Sequence, residues 1–144
     1  MKSVLVLCIG NICRSPMAEG LLAAALPKVS VSSAGTGAML GQPADNIAQQ
    51  LMAARGIDIG THRARQIGQA MCQQADLILT MDDGQRRYVE ERYPLTRGKV
   101  FRLAATAKQD VPDPYKRGQG AFEHALHLID AGVQAWSERI QKFK

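Results

Sequence analysis

Residues 3–16, SVLVLCIGNICRSP, decide the fold of this chain because they join a buried strand to a helix through a short loop. The first five residues form a continuous apolar run rich in β-branched side chains, which is typical of a parallel strand covered on both faces. Ser15 is a good N-cap, Pro16 suits the first helical position, and Pro27 ends the apolar periodicity that follows. The stretch predicts a strand, a loop and a helix in immediate succession.

The rest of the chain continues this alternation. Three more strands are predicted, at residues 29–34, 76–81 and 99–103. Two more helices are predicted, at residues 45–55 and from Asp82 or Asp83 to about Tyr93. A long closing helix is indicated by an apolar stripe that consists of Phe122, Leu126, Ile129, Val133, Trp136 and Ile140. Strands that alternate with helices predict an α/β fold with a parallel sheet and helices on both of its faces.

Length and composition indicate one domain over residues 1–144, with 46% hydrophobic and 22% charged residues. The apolar start is short and is interrupted by Gly10, Asn11 and Arg14, which argues against a secretory segment and against membrane insertion. Three cysteines are an odd number, which argues against an extracellular disulfide framework. We therefore expect a cytoplasmic protein.

The net charge of +5 favours an anionic partner. Aromatic residues make up only 5% of the chain, and the basic residues are scattered and do not form a block. Both features argue against nucleic acid as the partner. A phosphorylated protein is the better expectation.

The loop in the opening stretch places Cys8 and Arg14 six positions apart. That spacing alone is a weak motif, but here the cysteine ends a strand and the arginine precedes a helix. The backbone N–H groups of the intervening residues can surround an anion at the positive end of the helix, which also favours a thiolate. The predicted phosphate-binding residues are Ile9, Gly10, Asn11, Ile12, Cys13 and Ser15, with Cys8 as nucleophile.

Individual loop residues suit phosphate chemistry. The planar guanidinium of Arg14 can hold two phosphoryl oxygens at once. Gly10 allows a close approach of the backbone, and Asn11 tolerates a left-handed conformation while its amide ties the loop. Ser15 can donate its hydroxyl to the thiolate or simply cap the helix, and the sequence leaves both roles open.

A leaving phenolate benefits from a proton, and Asp113 is the candidate general acid. It stands in the polar stretch after the fourth predicted strand, at the end of the sheet where the cysteine loop also lies. Pro114 stiffens the segment that carries it. An ordinary turn that starts at Asp113 is an equal alternative from spacing alone.

Four motifs occur in an order that resembles the low-molecular-weight protein tyrosine phosphatases. They are Cys8-x5-Arg14-Ser15, Ser33-Ala34-Gly35-Thr36, Met81-Asp82 and Asp113-Pro114-Tyr115. The likeness covers nearly the whole chain. It implies a flavodoxin-like three-layer sandwich with a four-stranded parallel sheet flanked by helices. It also implies hydrolysis of phosphotyrosine through a cysteinyl phosphate, with no metal or other cofactor, and with Asp113 as acid and later as base.

Within that family, the chain is most similar to bacterial enzymes that act on tyrosine autokinases of capsule or exopolysaccharide export. The implied partner is therefore a phosphotyrosine-bearing protein, a tyrosine autokinase. Eukaryotic members carry a tryptophan or tyrosine about where this chain has Met39 and Leu40, and a second tyrosine in place of Lys116. Met39, Leu40 and Tyr115 are the candidates for packing against the phosphotyrosine ring.

The remaining cysteines and histidines have simpler interpretations. The resemblance implies a reversible disulfide between Cys13 and Cys8, with a small packing residue as an equal alternative for Cys13. It also implies that His62 braces the active-site loop. His124 and His127 lie one helical turn apart but have no third ligand nearby, so no metal site is expected.

Other functions resemble this one in part. A protein-arginine phosphatase on the same fold carries threonine where this chain has Ile12. A non-hydrolytic phosphocarrier domain also places a cysteine after its first strand but typically lacks the arginine. Thiol-dependent arsenate reductases need two further cysteines downstream, where only Cys72 is present.

Overall fold

The computed structural model describes residues 1–142 and contains one sheet of four parallel strands in the order β2-β1-β3-β4. The strands are β1 (Ser3–Cys8), β2 (Ser30–Gly35), β3 (Leu77–Thr80) and β4 (Val100–Arg102). Each end lies within one residue of the bound predicted from the sequence. The chain runs outward from β1 to β2 and then crosses to β3, so the strand order reverses beside β1. Ligands of such sheets bind outside the carboxyl ends of the strands at this reversal.

Within the described residues 1–142, five helices surround the sheet: α1 (Arg14–Ala25), α2 (Asn46–Ala53), α3 (Gln69–Gln74), α4 (Asp83–Arg92) and α5 (Gln119–Gln141). Two short 3₁₀ turns cover Pro94–Thr96 and Ala105–Ala107. None of the helices within residues 1–142 has the length and apolar character needed to cross a membrane.

Strand β1 is central because its two faces supply two separate cores. Val4, Val6 and Cys8 belong to the core shared with α1, α2 and α5, whereas Leu5 and Leu7 belong to a smaller core with α3 and α4. Successive side chains of a strand point to opposite faces, so this division makes three layers. Fully burying one Val or Leu side chain is worth about 1.5–3 kcal/mol. The implied sheet flanked by helices is confirmed.

The closing helix α5 packs closely against the end of β4. All six residues of its predicted apolar stripe are buried. Trp136 donates its indole N–H to the carbonyl oxygen of Leu103 at 3.0 Å. At Gly132 a Cβ atom would lie 2.6 Å from that same oxygen, so only glycine allows this approach.

The helix starts differ in part from the predictions. Ser15 is not the N-cap of α1, because the helix already begins at Arg14 and Cys13 occupies the cap position without a side-chain hydrogen bond. Asp82 caps α4, since its side chain accepts a hydrogen bond from the backbone N–H of Gln85. Helix α3 was not predicted.

Candidate active site

A hollow of about 170 Å³, the loop hollow, opens at the carboxyl edge of the sheet beside the loop between β1 and α1. It is lined by Cys8, Ile9, Gly10, Ile12, Cys13, Arg14, Gly37, Met39, Asp113 and Tyr115. The nucleophile and arginine candidates of the loop therefore face the same space as the acid candidate Asp113, which lies far from them in the sequence. Parallel strands bring them together, because the carboxyl ends of β1 and β4 open onto the same edge of the sheet.

Cys8 is the last residue of β1, and its side chain lies at the base of the loop hollow. Its Sγ atom accepts a hydrogen bond from the backbone N–H of Asn11 at 3.2 Å and lies 2.9 Å from the Oγ atom of Ser15. Hydrogen-bond donors at a sulfur stabilise its ionised form over its neutral form. The sequence left Ser15 either as a donor to the thiolate or as a helix cap, and in the structure its hydroxyl contacts the Cys8 sulfur.

Asn11 holds the loop in shape from beneath the loop hollow, where it is fully buried. Its φ of 61° lies in the left-handed region, as predicted, and asparagine tolerates that region better than most residues. Its Oδ1 atom accepts a hydrogen bond from the backbone N–H of Arg65 at 2.9 Å. Its carbonyl oxygen lies 2.6 Å from Nε2 of His62. His62 therefore contacts the loop backbone as a brace.

The side chain of Asn11 also fixes the direction of the hydrogen bonds around the sulfur. Because Oδ1 is already an acceptor, Nδ2 donates to Ser15 Oγ at 2.7 Å and to Ser33 Oγ at 3.0 Å. Ser33 in turn donates to the carboxylate of Glu19. Since Ser15 accepts from Asn11, its own proton is available to the sulfur of Cys8. The Glu19 carboxylate, an acceptor only, thus fixes the direction of the Ser33 hydroxyl, and the N–H of Arg65 fixes the orientation of the Asn11 amide.

Arg14 is buried at the inner wall of the loop hollow, with its side chain 3% exposed. Its Nη1 donates to the carbonyl oxygen of Val111 at 2.7 Å, which fixes the plane of the guanidinium. Carboxylate oxygens of Asp82 and Asp113 each lie 3.9 Å away, too far for a hydrogen bond. The guanidinium therefore keeps N–H donors for an oxyanion in the loop hollow.

Asp113 lines the loop hollow from the segment that follows β4, with its side chain 47% exposed. Its Oδ1 accepts a hydrogen bond from the backbone N–H of Tyr115 at 3.1 Å, which is a turn of the kind that aspartate and proline favour. Its Oδ2 faces Arg14. The sequence left two alternatives for Asp113, an ordinary turn or a place in the active site. In the structure Asp113 both starts a turn and lines the loop hollow.

Cys13 also lines the loop hollow, and it is a free thiol like Cys8 and Cys72. Burial raises the pKa of the Cys13 thiol strongly, and the nearby charge of Asp45 raises it further. Burial likewise raises the pKa of Cys72, which lies in the smaller core. Both thiols are therefore neutral at physiological pH.

The rim of the loop hollow differs from the predicted one at Leu40. Met39 and Tyr115 line the space as predicted, but Leu40 is not among the lining residues and is 69% exposed. Gly37, which the sequence did not indicate, takes its place. Ile9 supplies a further apolar edge and is 47% exposed.

Five contributors to the site were missed by sequence reasoning. They are Glu19, Ser33, Arg65, Asp82 and Val111. Ser33 and Asp82 stand in motifs quoted for the resemblance, and Arg65 belongs to the same segment as His62, which resembles a family segment that braces the loop, so a signal existed for all three. Glu19 had none, because a glutamate on a helix is normally a solvated residue. Within residues 1–142, no group of three His, Cys, Asp or Glu side chains could hold a metal ion.

Comparison with known sequences identifies relatives over nearly the full chain. A family model described as low molecular weight phosphotyrosine protein phosphatase matches residues 3–144. A protein of Ralstonia nicotianae, named as a probable low molecular weight protein-tyrosine-phosphatase EpsP, is 51% identical over 141 residues. That match covers 98% of this chain and 97% of the relative.

Solved structures give the same picture of the fold. Vibrio vulnificus Wzb in complex with benzylphosphonate is 38% identical, with a TM-score of 0.92, and the match covers 96% of this chain and 98% of that one. The YwlE arginine phosphatase from Geobacillus stearothermophilus is 30% identical, with the same TM-score of 0.92. That match covers 99% of this chain and 94% of the YwlE chain. Because the two TM-scores are equal, the backbone alone does not separate the two activities.

Proposed function

The chain belongs to the low molecular weight phosphotyrosine protein phosphatase family and is a protein-tyrosine phosphatase, and on that premise we propose that Cys8, Arg14 and Asp113 carry out its catalysis. The observation that carries this assignment is that a thiol, a buried guanidinium and a carboxylate line one small hollow. Ser15, which contacts the sulfur, completes the group.

In the first step, the Cys8 thiolate attacks the phosphorus of phosphotyrosine. A sulfur–phosphorus bond forms as the bond from phosphorus to the phenolic oxygen breaks. Asp113 gives its proton to the leaving phenolate, a contribution typically worth about 10²–10⁴ in rate. Arg14 holds two equatorial oxygens of the phosphoryl group and balances their charge during transfer.

In the second step, water hydrolyses the cysteinyl phosphate. The Asp113 carboxylate takes a proton from the attacking water, and the sulfur–phosphorus bond breaks to release inorganic phosphate. The electron pair of that bond returns to the Cys8 sulfur. The proton of Ser15, directed at the sulfur by Asn11, stabilises the departing thiolate.

The rim of the loop hollow supports an aromatic phosphoester as substrate. Met39 and Tyr115 offer an apolar surface to a phenyl ring whose phosphate reaches the floor. Ile12 also favours phosphotyrosine over phosphoarginine, because arginine phosphatases of this fold carry threonine at that position.

The partner is a phosphotyrosine-bearing protein, and we assign it more narrowly as a bacterial tyrosine autokinase of exopolysaccharide or capsule export in the cytoplasm. The support is the similarity to the EpsP-named protein and to Wzb. The positive net charge of the chain suits a phosphorylated, anionic target.

The test compares turnover of phosphotyrosine, phosphoarginine and phosphoserine peptides of one sequence without added metal. Phosphotyrosine is expected to be hydrolysed with by far the largest kcat/KM. The Ile12→Thr variant is the matched comparison, and its relative activity on phosphoarginine is expected to rise. Faster hydrolysis of phosphoarginine by the unaltered chain would favour the arginine phosphatase alternative.

A further inference from the structure

A second cavity, of about 410 Å³, lies at the opposite edge of the sheet from the loop hollow. It opens between α3 and the 3₁₀ turn that follows α4, beside Lys99 at the amino-terminal end of β4. No lining residue is shared with the loop hollow. Its volume lies within the range of about 300–1,000 Å³ that is typical of small-molecule sites. We call it the basic cavity.

The charge of the basic cavity is entirely positive. Arg92 and Lys99 line it, and no aspartate or glutamate does. Within residues 1–142, no carboxylate oxygen lies within 4 Å of either cation. Glu91, the carboxylate next to Arg92 in sequence, does not line the cavity, and Glu90 pairs with Arg86. Asp76, whose pKa is lowered mainly by hydrogen bonds from the backbone N–H groups of Lys2 and Ser3, does not line the cavity either.

The ammonium group of Lys99 is held in place by backbone acceptors. It donates to the carbonyl oxygen of Ala75 at 2.6 Å and lies 3.4 Å from that of Gln73. Neutral carbonyl groups orient a cation but do not cancel its charge. One N–H of the ammonium group and the whole guanidinium of Arg92 are therefore available to an anionic ligand.

The remaining wall of the basic cavity combines the polar residues Gln69, Gln73 and Thr96 with an apolar part around Tyr93 and Leu95. Tyr93 is half-buried there, and Leu95 is 82% exposed, although large hydrophobic side chains are mostly buried in this chain. Cys72, 1% exposed, closes the floor. A concave site that combines apolar side chains with a few polar groups is the usual form of a small-molecule site.

We propose that the basic cavity binds a flat aromatic ring that carries one anionic group, such as an aromatic carboxylate. The ring packs between Tyr93 and Leu95, where it covers the exposed leucine. The carboxylate accepts hydrogen bonds from the guanidinium of Arg92 and from the ammonium group of Lys99. Because the two sites share no residue, the ligand binds without competing for the loop hollow.

The test is a titration of the ¹⁵N-labelled full chain with 2-naphthoate, followed by amide chemical shifts in the presence of inorganic phosphate. Saturable shifts are expected at Gln73, Leu95 and Thr96. The Arg92→Glu variant is expected to bind at least about tenfold more weakly. The matched control is Arg87→Glu, an exposed position of the same helix outside the cavity, which is expected to keep its affinity.

A neutral ligand and a second variant test the proposal independently of Arg92→Glu. The neutral analogue 2-naphthalenemethanol is expected to bind at least about tenfold more weakly than 2-naphthoate. Leu95→Ser, an exposed substitution that leaves both cations, is expected to weaken binding even if Arg92→Glu fails to fold. Equal affinity of the neutral analogue, shifts confined to the Cys8 loop, or full affinity in Leu95→Ser would each overturn the proposal. None of these readouts depends on phosphatase activity.

Discussion

The Oγ atom of Ser15 lies 2.9 Å from the Sγ atom of Cys8, and its proton is directed at that sulfur because Asn11 donates to its lone pair. The proposed second step depends on this relationship, since the sulfur must leave as a thiolate when water attacks. Ser15 is therefore expected to matter most for the breakdown of the cysteinyl phosphate.

Ser15→Ala is expected to lower kcat about 10- to 100-fold, since a hydrogen bond to a charged group is worth about 1.5–3 kcal/mol. Because the second step slows most, rapid mixing with p-nitrophenyl phosphate should reveal a burst of p-nitrophenol. Ser30→Ala, at an exposed position of β2, is the control and should behave like the unaltered chain. An unchanged kcat in Ser15→Ala would contradict the role of the hydroxyl.

Glu19→Gln tests whether the carboxylate sets the direction of the hydrogen bonds. A glutamine can donate to Ser33, which would turn the Ser33 hydroxyl toward Asn11 and disturb the amide. We expect kcat to fall several-fold with little change in thermal stability, as measured by steady-state kinetics and calorimetry. Retention of full activity would show that the reactivity of the Cys8 sulfur does not depend on the direction of the hydrogen bonds from Glu19 through Ser33 and Asn11 to Ser15.

Asp113→Asn removes the proposed acid while keeping its turn. Loss of kcat is expected to approach the typical 10²–10⁴-fold for phenyl phosphate but to be smaller for p-nitrophenyl phosphate, whose leaving group needs a proton less. Asp110→Asn is the control, because Asp110 stands in the same loop but pairs with Arg102. A loss that is equal for both substrates would assign the acid to another residue.

The three cysteines should differ in their reaction with iodoacetamide at pH 8. Raised pKa values keep Cys13 and Cys72 protonated at pH values where an ordinary thiol begins to ionise, so both should react slowly. Cys8 should be labelled first, although it is as buried as Cys13. Peptide mass spectrometry over time measures the order, and equal labelling of Cys8 and Cys13 would contradict it.

Gly132→Ala should destabilise the packing of α5 on the end of β4. The added Cβ would lie 2.6 Å from the carbonyl oxygen of Leu103 and 2.9 Å from its Cγ, so the helix must shift. Overpacking of this kind costs about 1–3 kcal/mol in the free energy of unfolding, which urea titration measures. Gly120→Ala, in the same helix with no atom within 4 Å of the added Cβ, should not lower stability.

The sequence predicts those parts of the structure whose conformation depends on residues close together in the chain. Strand β1, the cysteine loop and α1 follow one another directly, so the apolar run and the helix-terminal residues were sufficient to place Cys8 and Arg14. Helix α3 was missed because it has only six residues and three of them are glutamine, which leaves little apolar periodicity.

The parts that were missed depend on contacts between distant segments. Glu19 acts through Ser33 and Asn11, and the carbonyl oxygen of Val111, in the segment after β4, accepts a hydrogen bond from Arg14. No spacing along the chain encodes these relationships. Leu40 was a candidate for the rim because the resemblance places an aromatic residue of eukaryotic members about at Met39 and Leu40, but Gly37 and Met39 line the loop hollow and Leu40 does not. Position along the chain made Asp113 a candidate acid with a simple turn as an equal alternative, and the resemblance favoured the acid.

The central claim is that catalysis passes through a phosphoryl group on Cys8. The most direct measurement is rapid quenching of the Asp113→Asn variant during turnover of p-nitrophenyl phosphate, followed by peptide mass spectrometry. That variant should accumulate the intermediate, because Asp113 is also the proposed base of the second step. A phosphoryl group on Cys8, and no turnover in Cys8→Ser, is the predicted result. Turnover in Cys8→Ser, or a phosphoryl group on any other residue, would contradict the account.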